Sequence, residues 1–171
     1  MLKQSKSPDG YKHLLVYKKA EELLAETTAY TATFPRILSR LIEQMDSSAR
    51  STKANIVEGW RRNATYEYYQ FLGYSVASNE ELLEDYLDIC LGRYESKGLK
   101  GAKGRNGEQI EKAEVESLRF YPLDSRLPPS VQGYLRAKEL NMLLDKLQAS
   151  LQTRMEDTKT LSEILWRMAT M

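Results

Sequence analysis

Apolar residues recur at spacings of three and four along most of the chain, and the alternation typical of strands is nearly absent. This pattern predicts an all-α protein. The four longest periodic segments predict helices at about 9–33, 35–59, 64–93 and 130–168. Because short connections join the first three, we expect an up-down-up-down four-helix bundle. An irregular insertion at about 94–129 separates helices three and four.

Glycine and proline mark the breaks in this pattern. Pro35 suits the first turn of helix two, and Gly59 with the residues after it predicts the end of that helix. Within the insertion, residues 96–107 hold four glycines and four basic residues. Since such a composition offers little to bury and its charges repel one another, we expect a mobile loop. A short helical piece at 108–120 follows it.

The inner face of helix two changes character along its length. Its stripe runs through Phe34, Leu38, Leu41, Met45, Ser48, Thr52, Asn55 and Gly59. The second half replaces bulk with hydroxyls, an amide and a glycine, which lets a neighbouring backbone come close. We therefore expect Asn55 to be mostly buried and hydrogen-bonded to a neighbouring helix. Asn55 and Glu58, one turn apart, form either a polar ligand site or a network that fixes helix register; the network is favoured.

Composition narrows the possible functions. The length of 171 residues predicts one domain, 1–171. The net charge of +1 argues against a strongly basic nucleic-acid binder, but it is compatible with a local basic patch. Cys90 is the single cysteine, so no internal disulfide forms, and His13 is the single histidine. We expect no enzyme activity, no metal and no cofactor. The N-terminus lacks the apolar core of a secretion signal, and no apolar run has the length of a membrane span, so we expect a cytoplasmic protein without a membrane partner.

An acidic group on helix three is a candidate metal-binding site. It comprises Glu80, Glu81, Glu84, Asp85 and Asp88. Bundle proteins that hold two metal ions pair carboxylates with Glu-x-x-His motifs, and none occurs here. A solvated acidic face is the favoured interpretation.

Two basic groups are candidates for phosphate contact. The first surrounds the end of helix two and comprises Arg50, Lys53, Arg61 and Arg62, with Trp60, Tyr66, Tyr68 and Tyr69 nearby in sequence. The second lies in the glycine-rich loop and comprises Lys97, Lys100, Lys103 and Arg105. Cations mixed with exposed aromatic rings hold phosphates and stack on bases. The alternatives are surface charge over core aromatics for the first group and a solubilising linker for the second.

Tyrosine is unusually frequent, at eleven residues. Tyr11, Tyr17, Tyr30 and the 66–69 group exceed what one monomer core is expected to bury. Because tyrosine is enriched at interfaces, this surplus favours a homo-oligomer.

Several motifs together resemble one family. The segment 51–59, Ser-Thr-Lys-Ala-Asn-Ile-Val-Glu-Gly, resembles the S-x-x-A-N-I-x-E-G signature of the four-helix-bundle family of 23S rRNA intervening-sequence proteins. The segments 16–20, 34–35, 69–72 and 77–82 also resemble family motifs, so the resemblance covers about 11–90. Two features depart from the family: Lys53 stands where proline is frequent, and the insertion is longer than the usual connection.

The resemblance implies a bundle that assembles as a ring, often a pentamer, without enzyme activity. Ser51, Asn55, Glu58 and Gly59 are then a structural motif.

A related branch comprises accessory proteins of diversity-generating retroelements, which are thought to bind nucleic acid and a reverse transcriptase. The leading hypothesis is an oligomeric bundle that binds RNA or a ribonucleoprotein through the two basic groups. The alternative is a protein-interaction scaffold, such as a retroelement accessory subunit, without direct nucleic-acid contact.

Overall fold

The computed structural model describes residues 7–171, and all of its regular elements are helical. The α-helices are α1 (Leu15–Thr31), α2 (Ser39–Arg61), α3 (Thr65–Cys90), α4 (Lys112–Ser117) and α5 (Pro129–Thr170). Short 3₁₀ turns form at Gly10–His13, Arg36–Leu38 and Glu95–Lys97. The prediction of an all-α fold is therefore confirmed.

The four long helices pack as neighbours around one core. Helices α1 and α3 each pack on both α2 and α5. Cross-helix bonds show that each neighbouring pair runs antiparallel, because higher numbers on one helix meet lower numbers on the next. The bonded pairs are Thr31–Asp46 and Glu21–Lys53, Gln44–Asp85 and Thr52–Ser75, Asn79–Asn141 and Tyr69–Gln148, and Glu26–Arg136 and Lys19–Glu139.

The core follows the apolar periodicity that the sequence displays. Leu23 of α1, Met45 and Ile56 of α2, Leu72 of α3 and Leu140 of α5 are each at most 2% exposed. Burial of such side chains stabilises the fold by roughly 1.5–3 kcal/mol each. The long helices therefore depend on tertiary packing, which outweighs their individual propensities.

The structure changes the expected helix ends. Helix α1 begins at Leu15 instead of residue 9, because Gly10–His13 forms a 3₁₀ turn with Gly10 against the ring of Trp60. Helix α2 begins at Ser39, after a 3₁₀ turn that follows Pro35. Helix α3 ends at Cys90, and Gly92 follows with a φ of 77° that favours glycine.

Gly59 does not end α2, which continues to Arg61. A Cβ atom at Gly59 would lie 2.8 Å from the Cβ of Phe71 and 3.0 Å from the ring of Tyr68. The glycine therefore permits close approach of α3, as expected from the small residues of this face. Its role is packing, and the helix ends where Arg62 adopts an extended conformation.

The insertion packs against the C-terminal end of α3. The Ala102 N–H donates to the Cys90 carbonyl over 2.9 Å, and the Ile110 N–H donates to the Ala102 carbonyl over 3.0 Å. Leu99, Ala102 and Ile110 are buried. The premise that this loop has little to bury is therefore wrong. The predicted helical piece at 108–120 is shorter, at Lys112–Ser117, and is fixed by the buried Val115.

Helix α5 is much longer than the bundle that it completes. The stripe at spacings of three and four is buried or half-buried from Leu140 through Thr158, whereas Leu161, Leu165 and Met168 are exposed. The last turns of this helix therefore lie outside the core. We call residues 152–170 the arm. It extends past the other three long helices by roughly 28 Å at 1.5 Å per residue.

Candidate nucleic-acid interface

The family signature lies on the outer seam between α2 and α3. Asn55 is only half-buried, and its amide donates to Ser51 Oγ of its own helix over 3.3 Å. Ser78 Oγ of α3 donates to the same Ser51 oxygen over 3.0 Å. The expectation that Asn55 is mostly buried against a neighbouring helix is thus wrong. The buried position of this turn belongs to Ile56.

Glu58 is exposed and belongs to an ionic and aromatic cluster. Its Oε1 lies 2.6 Å from Nη2 of Arg62, and the Arg62 guanidinium lies 4.6 Å from the ring centre of Phe71. Phe71 in turn makes an edge contact with Tyr74. The seam therefore presents hydroxyl, amide, carboxylate and guanidinium groups beside two aromatic rings.

The four cations of α2 differ in availability. Lys53 lies 3.4 Å from Glu21 and 5.5 Å from the ring centre of Tyr17. Arg61 lies 3.9 Å from Asp9, and Arg62 pairs with Glu58. Arg50 is exposed and takes part in none of the ion pairs formed within residues 7–171. A phosphate would have to compete with acidic partners at three of the four positions.

The loop cations are more open. Lys97, Lys100, Lys103 and Arg105 are all exposed, and the ion pairs of the described part of the chain include none of them. Their backbone is held by the packed insertion: the Arg105 N–H donates to Glu114 Oε1 over 2.9 Å. The insertion thus presents four side-chain charges from a fixed base.

The two basic groups lie at opposite ends of the bundle. The loop packs beside Cys90 at the end of α3, and Gly98 lies against Pro35 just before α2. Arg61 and Arg62 lie at the far end of α2. Since α2 has 23 residues, the two ends are roughly 34 Å apart. The structure therefore does not bring the eight predicted cations into one patch.

The aromatic side chains near the end of α2 divide into covered and open ones. Trp60 is half-buried, and its indole N–H donates to the Ser7 carbonyl over 3.1 Å. Tyr68 is buried, and burial raises its pKa to about 12. Tyr66 and Tyr74 are 59% and 53% exposed. Sequence reasoning missed Phe71 and Tyr74, although their spacing of three residues places them side by side on one face of α3.

The acidic group on α3 is not uniformly solvated. Asp85 is 7% exposed, and Gln44 donates to both of its carboxylate oxygens over 2.9 Å. Burial, with Asp88, Glu81 and Glu84 nearby, raises the Asp85 pKa to about 6 despite the Gln44 bond. Within residues 7–171, no group of three or more His, Cys, Asp and Glu residues is placed to hold a metal ion.

A cavity of about 400 Å³ lies between α1 and α5 near the loop end. Tyr30 and Tyr86 stack within it at 6.1 Å between ring centres, and Tyr86 shares a hydrogen bond with Thr27. Glu26 at its edge lies 2.6 Å from Nε of Arg136, and burial raises the Glu26 pKa. The groups on its walls are aromatic, apolar or already paired.

Comparison with known proteins supports the predicted resemblance. Residues 12–94 match the model of the family described as 23S rRNA-intervening sequence protein, which confirms the family prediction. That segment covers α1, α2 and α3, whereas α4 and α5 lie outside it. Neither the curated proteins nor the solved structures yield a match. No helix in the described part of the chain is long and apolar enough to cross a membrane.

Proposed function

We propose, on the premise that residues 12–94 belong to the 23S rRNA-intervening sequence protein family, that this chain is a non-enzymatic homo-oligomer that binds RNA or a ribonucleoprotein. The family match is the observation that carries the proposal. The exposed cations of the insertion support it, because side chains without acidic partners neutralise phosphate at the lowest cost.

The insertion is the stronger of the two candidate contact regions. Lys100, Lys103 and Arg105 project from a backbone that hydrogen bonds already hold, so little conformational entropy is lost on binding. Arg50 adds an exposed cation on α2. Arg61 and Arg62 contribute less, since Asp9 and Glu58 already partner them.

Salt-dependent RNA binding tests this proposal. We expect the purified protein to bind single-stranded RNA at low salt and to lose affinity linearly on a log–log plot as salt rises. The variant Lys100→Ala/Lys103→Ala/Arg105→Ala is expected to weaken binding and to flatten the salt slope by two to three units. Fluorescence anisotropy with labelled RNA measures both quantities.

A matched variant controls for net charge. Lys18→Ala/Lys146→Ala/Lys159→Ala removes the same number of exposed cations elsewhere on the molecule and is expected to change affinity by less than twofold. If both triple variants lose affinity equally, contact is nonspecific and the insertion has no special role. Absence of RNA affinity in the wild type at low salt contradicts the proposal.

The second candidate function is a protein-interaction scaffold. The exposed rings of Tyr66 and Tyr74 favour it, because aromatic side chains at this exposure are typical of protein interfaces. It takes the place of RNA binding if the wild type binds no RNA while its oligomer persists.

A further inference from the structure

The arm carries an apolar face that nothing in the described part of the chain covers. Leu161, Ile164, Leu165 and Met168 follow the i, i+3, i+4, i+7 spacing of one helix face and are 48–68% exposed. Single exposed apolar residues are ordinary, but four on one face form a contiguous patch, which marks an interaction site.

This face continues an interface that the same helix already makes. Leu140, Leu144 and Leu151 of α5 are buried against the bundle. Near the end of the bundle, Gln148 Nε2 of α5 donates to the Tyr69 carbonyl of α3 over 3.1 Å. Because α5 and α3 are antiparallel, α5 passes Thr65, the first residue of α3, about four residues later. The arm therefore lies beyond its own α3 and cannot pack on it.

The charges of the arm indicate the kind of partner. It carries three cations and three carboxylates: Arg154, Lys159, Arg167, Glu156, Asp157 and Glu163. Nucleic acids and anionic membrane surfaces select an excess of cations, which the arm lacks. A balanced helix with an apolar face is suited to a protein surface.

An exposed surface long enough to receive this face lies on α3 at the same end of the molecule. Tyr66, Tyr74 and Ala77 are exposed along its outer side, and Phe71 is half-buried beside Tyr74. We call these four residues the α3 stripe. It spans 12 residues, roughly 17 Å, whereas the apolar face of the arm spans eight residues, roughly 11 Å.

We propose that the arm of one copy docks on the α3 stripe of a second copy. A two-turn helix contact alone falls short of the roughly 800 Å² per partner typical of stable complexes. Exchange of arms in a two-fold pair occupies both surfaces of each subunit and doubles the contact between the two copies. A closed ring also occupies both surfaces of every subunit, with one arm contact between neighbours. This inference rests on the homo-oligomer part of the proposed function and not on RNA binding.

Two charges placed on the arm face test the contact. By light scattering at micromolar concentration, the wild type is expected at a multiple of 19.7 kDa and Leu161→Glu/Leu165→Glu at 19.7 kDa. Both residues are exposed, so the variant retains its helical circular dichroism. The matched control, Gln152→Glu/Thr170→Glu, adds the same charge at exposed positions on the side of the helix opposite the apolar face and is expected to keep the wild-type mass.

A variant of the α3 stripe identifies the docking surface. Tyr74→Glu is expected to give the same 19.7 kDa species and to retain its helical circular dichroism, since Tyr74 is exposed. If Tyr74→Glu keeps the wild-type mass while the arm variant dissociates, the arms pair with each other and the docking site is wrong. If the arm variant keeps the wild-type mass, the arm has no role in assembly. A wild-type mass of 19.7 kDa at every dilution overturns both this inference and the oligomer, while the RNA test still stands.

Discussion

Asn79 is the fully buried amide of α3, and it joins that helix to α5. Its Nδ2 donates to the Ala137 carbonyl over 2.7 Å and to Asn141 Oδ1 over 2.8 Å, while Asn141 donates to Glu80. We expect Asn79→Ala to lower the free energy of unfolding by about 2–3 kcal/mol, because it leaves buried acceptors unpaired. Urea denaturation measures the loss. Asn55→Ala is the matched control and is expected to cost less than about 1 kcal/mol, since Asn55 is half-buried and bonds within its own helix. Equal losses would contradict this assignment.

The sequence predicted a buried amide but placed it on α2 instead of α3. The predicted inner stripe of α2 takes a step of three residues after Thr52 and therefore assigns the next buried position to Asn55. In the structure the face advances by four residues, from Thr52 to the buried Ile56, because α-helices turn once in 3.6 residues. Asn79 lies three residues after Val76 and four before Leu83, on the apolar repeat of α3. Its partners are contributed by α5, 58 to 62 residues away, and helical periodicity carries no information about them.

Asp85 makes stability depend on pH. Its pKa of about 6 in the folded state lies above its ordinary value of 3.8, so the folded state binds a proton more tightly than the unfolded state. The contribution of Asp85 to stability is therefore fully present below pH 3.8 and is lost as pH rises through 6. We expect Asp85→Asn to raise the free energy of unfolding at pH 7 by about 1–3 kcal/mol, with a smaller gain at pH 5. Chemical denaturation at the two pH values measures this difference.

Glu84→Gln is the control for Asp85. It removes one negative charge from an exposed position in the same acidic group. Exposed charges interact weakly through water, so the variant is expected to change stability by less than about 0.5 kcal/mol at either pH. Equal effects of the two substitutions would show that the net charge of the helix, and not burial of Asp85, governs the pH dependence.

At the scale of elements, the side chain of Gln109 links the insertion to the end of α3. Gln109 Nε2 donates to the Cys90 carbonyl over 2.6 Å and to the Ala102 carbonyl over 3.1 Å, so it joins α3 to both sides of the insertion. We expect slow amide exchange at Ala102 and Ile110 in the isolated chain and fast exchange at the exposed Asn106. Gln109→Ala should accelerate exchange at Ala102 and Ile110 by at least tenfold. Fast exchange at these amides in the wild type would restore the mobile-loop prediction.

The composition of the insertion could not reveal this packing. Four glycines and four cations in twelve residues are typical of a disordered linker. Three of these glycines serve the fold here: Gly98 and Gly107 have φ values of 88° and 79°, and a Cβ atom at Gly101 would lie 2.7 Å from the Cα of Gly92. Long-range contacts with the end of α3 decide the conformation, and local composition does not encode them. By contrast, the long helices were predictable because each repeats its apolar spacing over many turns.

At the scale of the molecule, the direction of each helix fixes where charge appears. The antiparallel order of α2 and α3 places Arg61 and Arg62 at one end and the insertion at the other. The predicted topology already contained this separation, since the insertion follows helix three and the first basic group ends helix two. Exposure was less predictable: the acidic partners Asp9, Glu21 and Glu58 reduce the availability of the α2 cations only through folded contacts.

The separation of the two basic groups gives a prediction about RNA length. If both groups contact RNA, one short RNA of roughly 6 nucleotides occupies either group, whereas an RNA of roughly 30 nucleotides bridges the two ends. Removing one group should lower short-RNA affinity by about twofold, because the other group still binds. The same removal should lower long-RNA affinity by tenfold or more, because it abolishes an intramolecular second contact at high effective concentration.

Anisotropy titrations of both RNAs decide between one site and two. The variants are Arg61→Ala/Arg62→Ala for one end and Lys100→Ala/Lys103→Ala/Arg105→Ala for the other. Each is expected to affect the long RNA far more than the short one. If the loop variant abolishes binding of both RNAs while the α2 variant changes neither, the insertion alone is the site. That outcome would mean that Arg61 and Arg62 stay paired with Asp9 and Glu58 and do not contact RNA. In that case bridging contributes nothing, and any preference for long RNA must come from several insertions in one oligomer acting on the same strand.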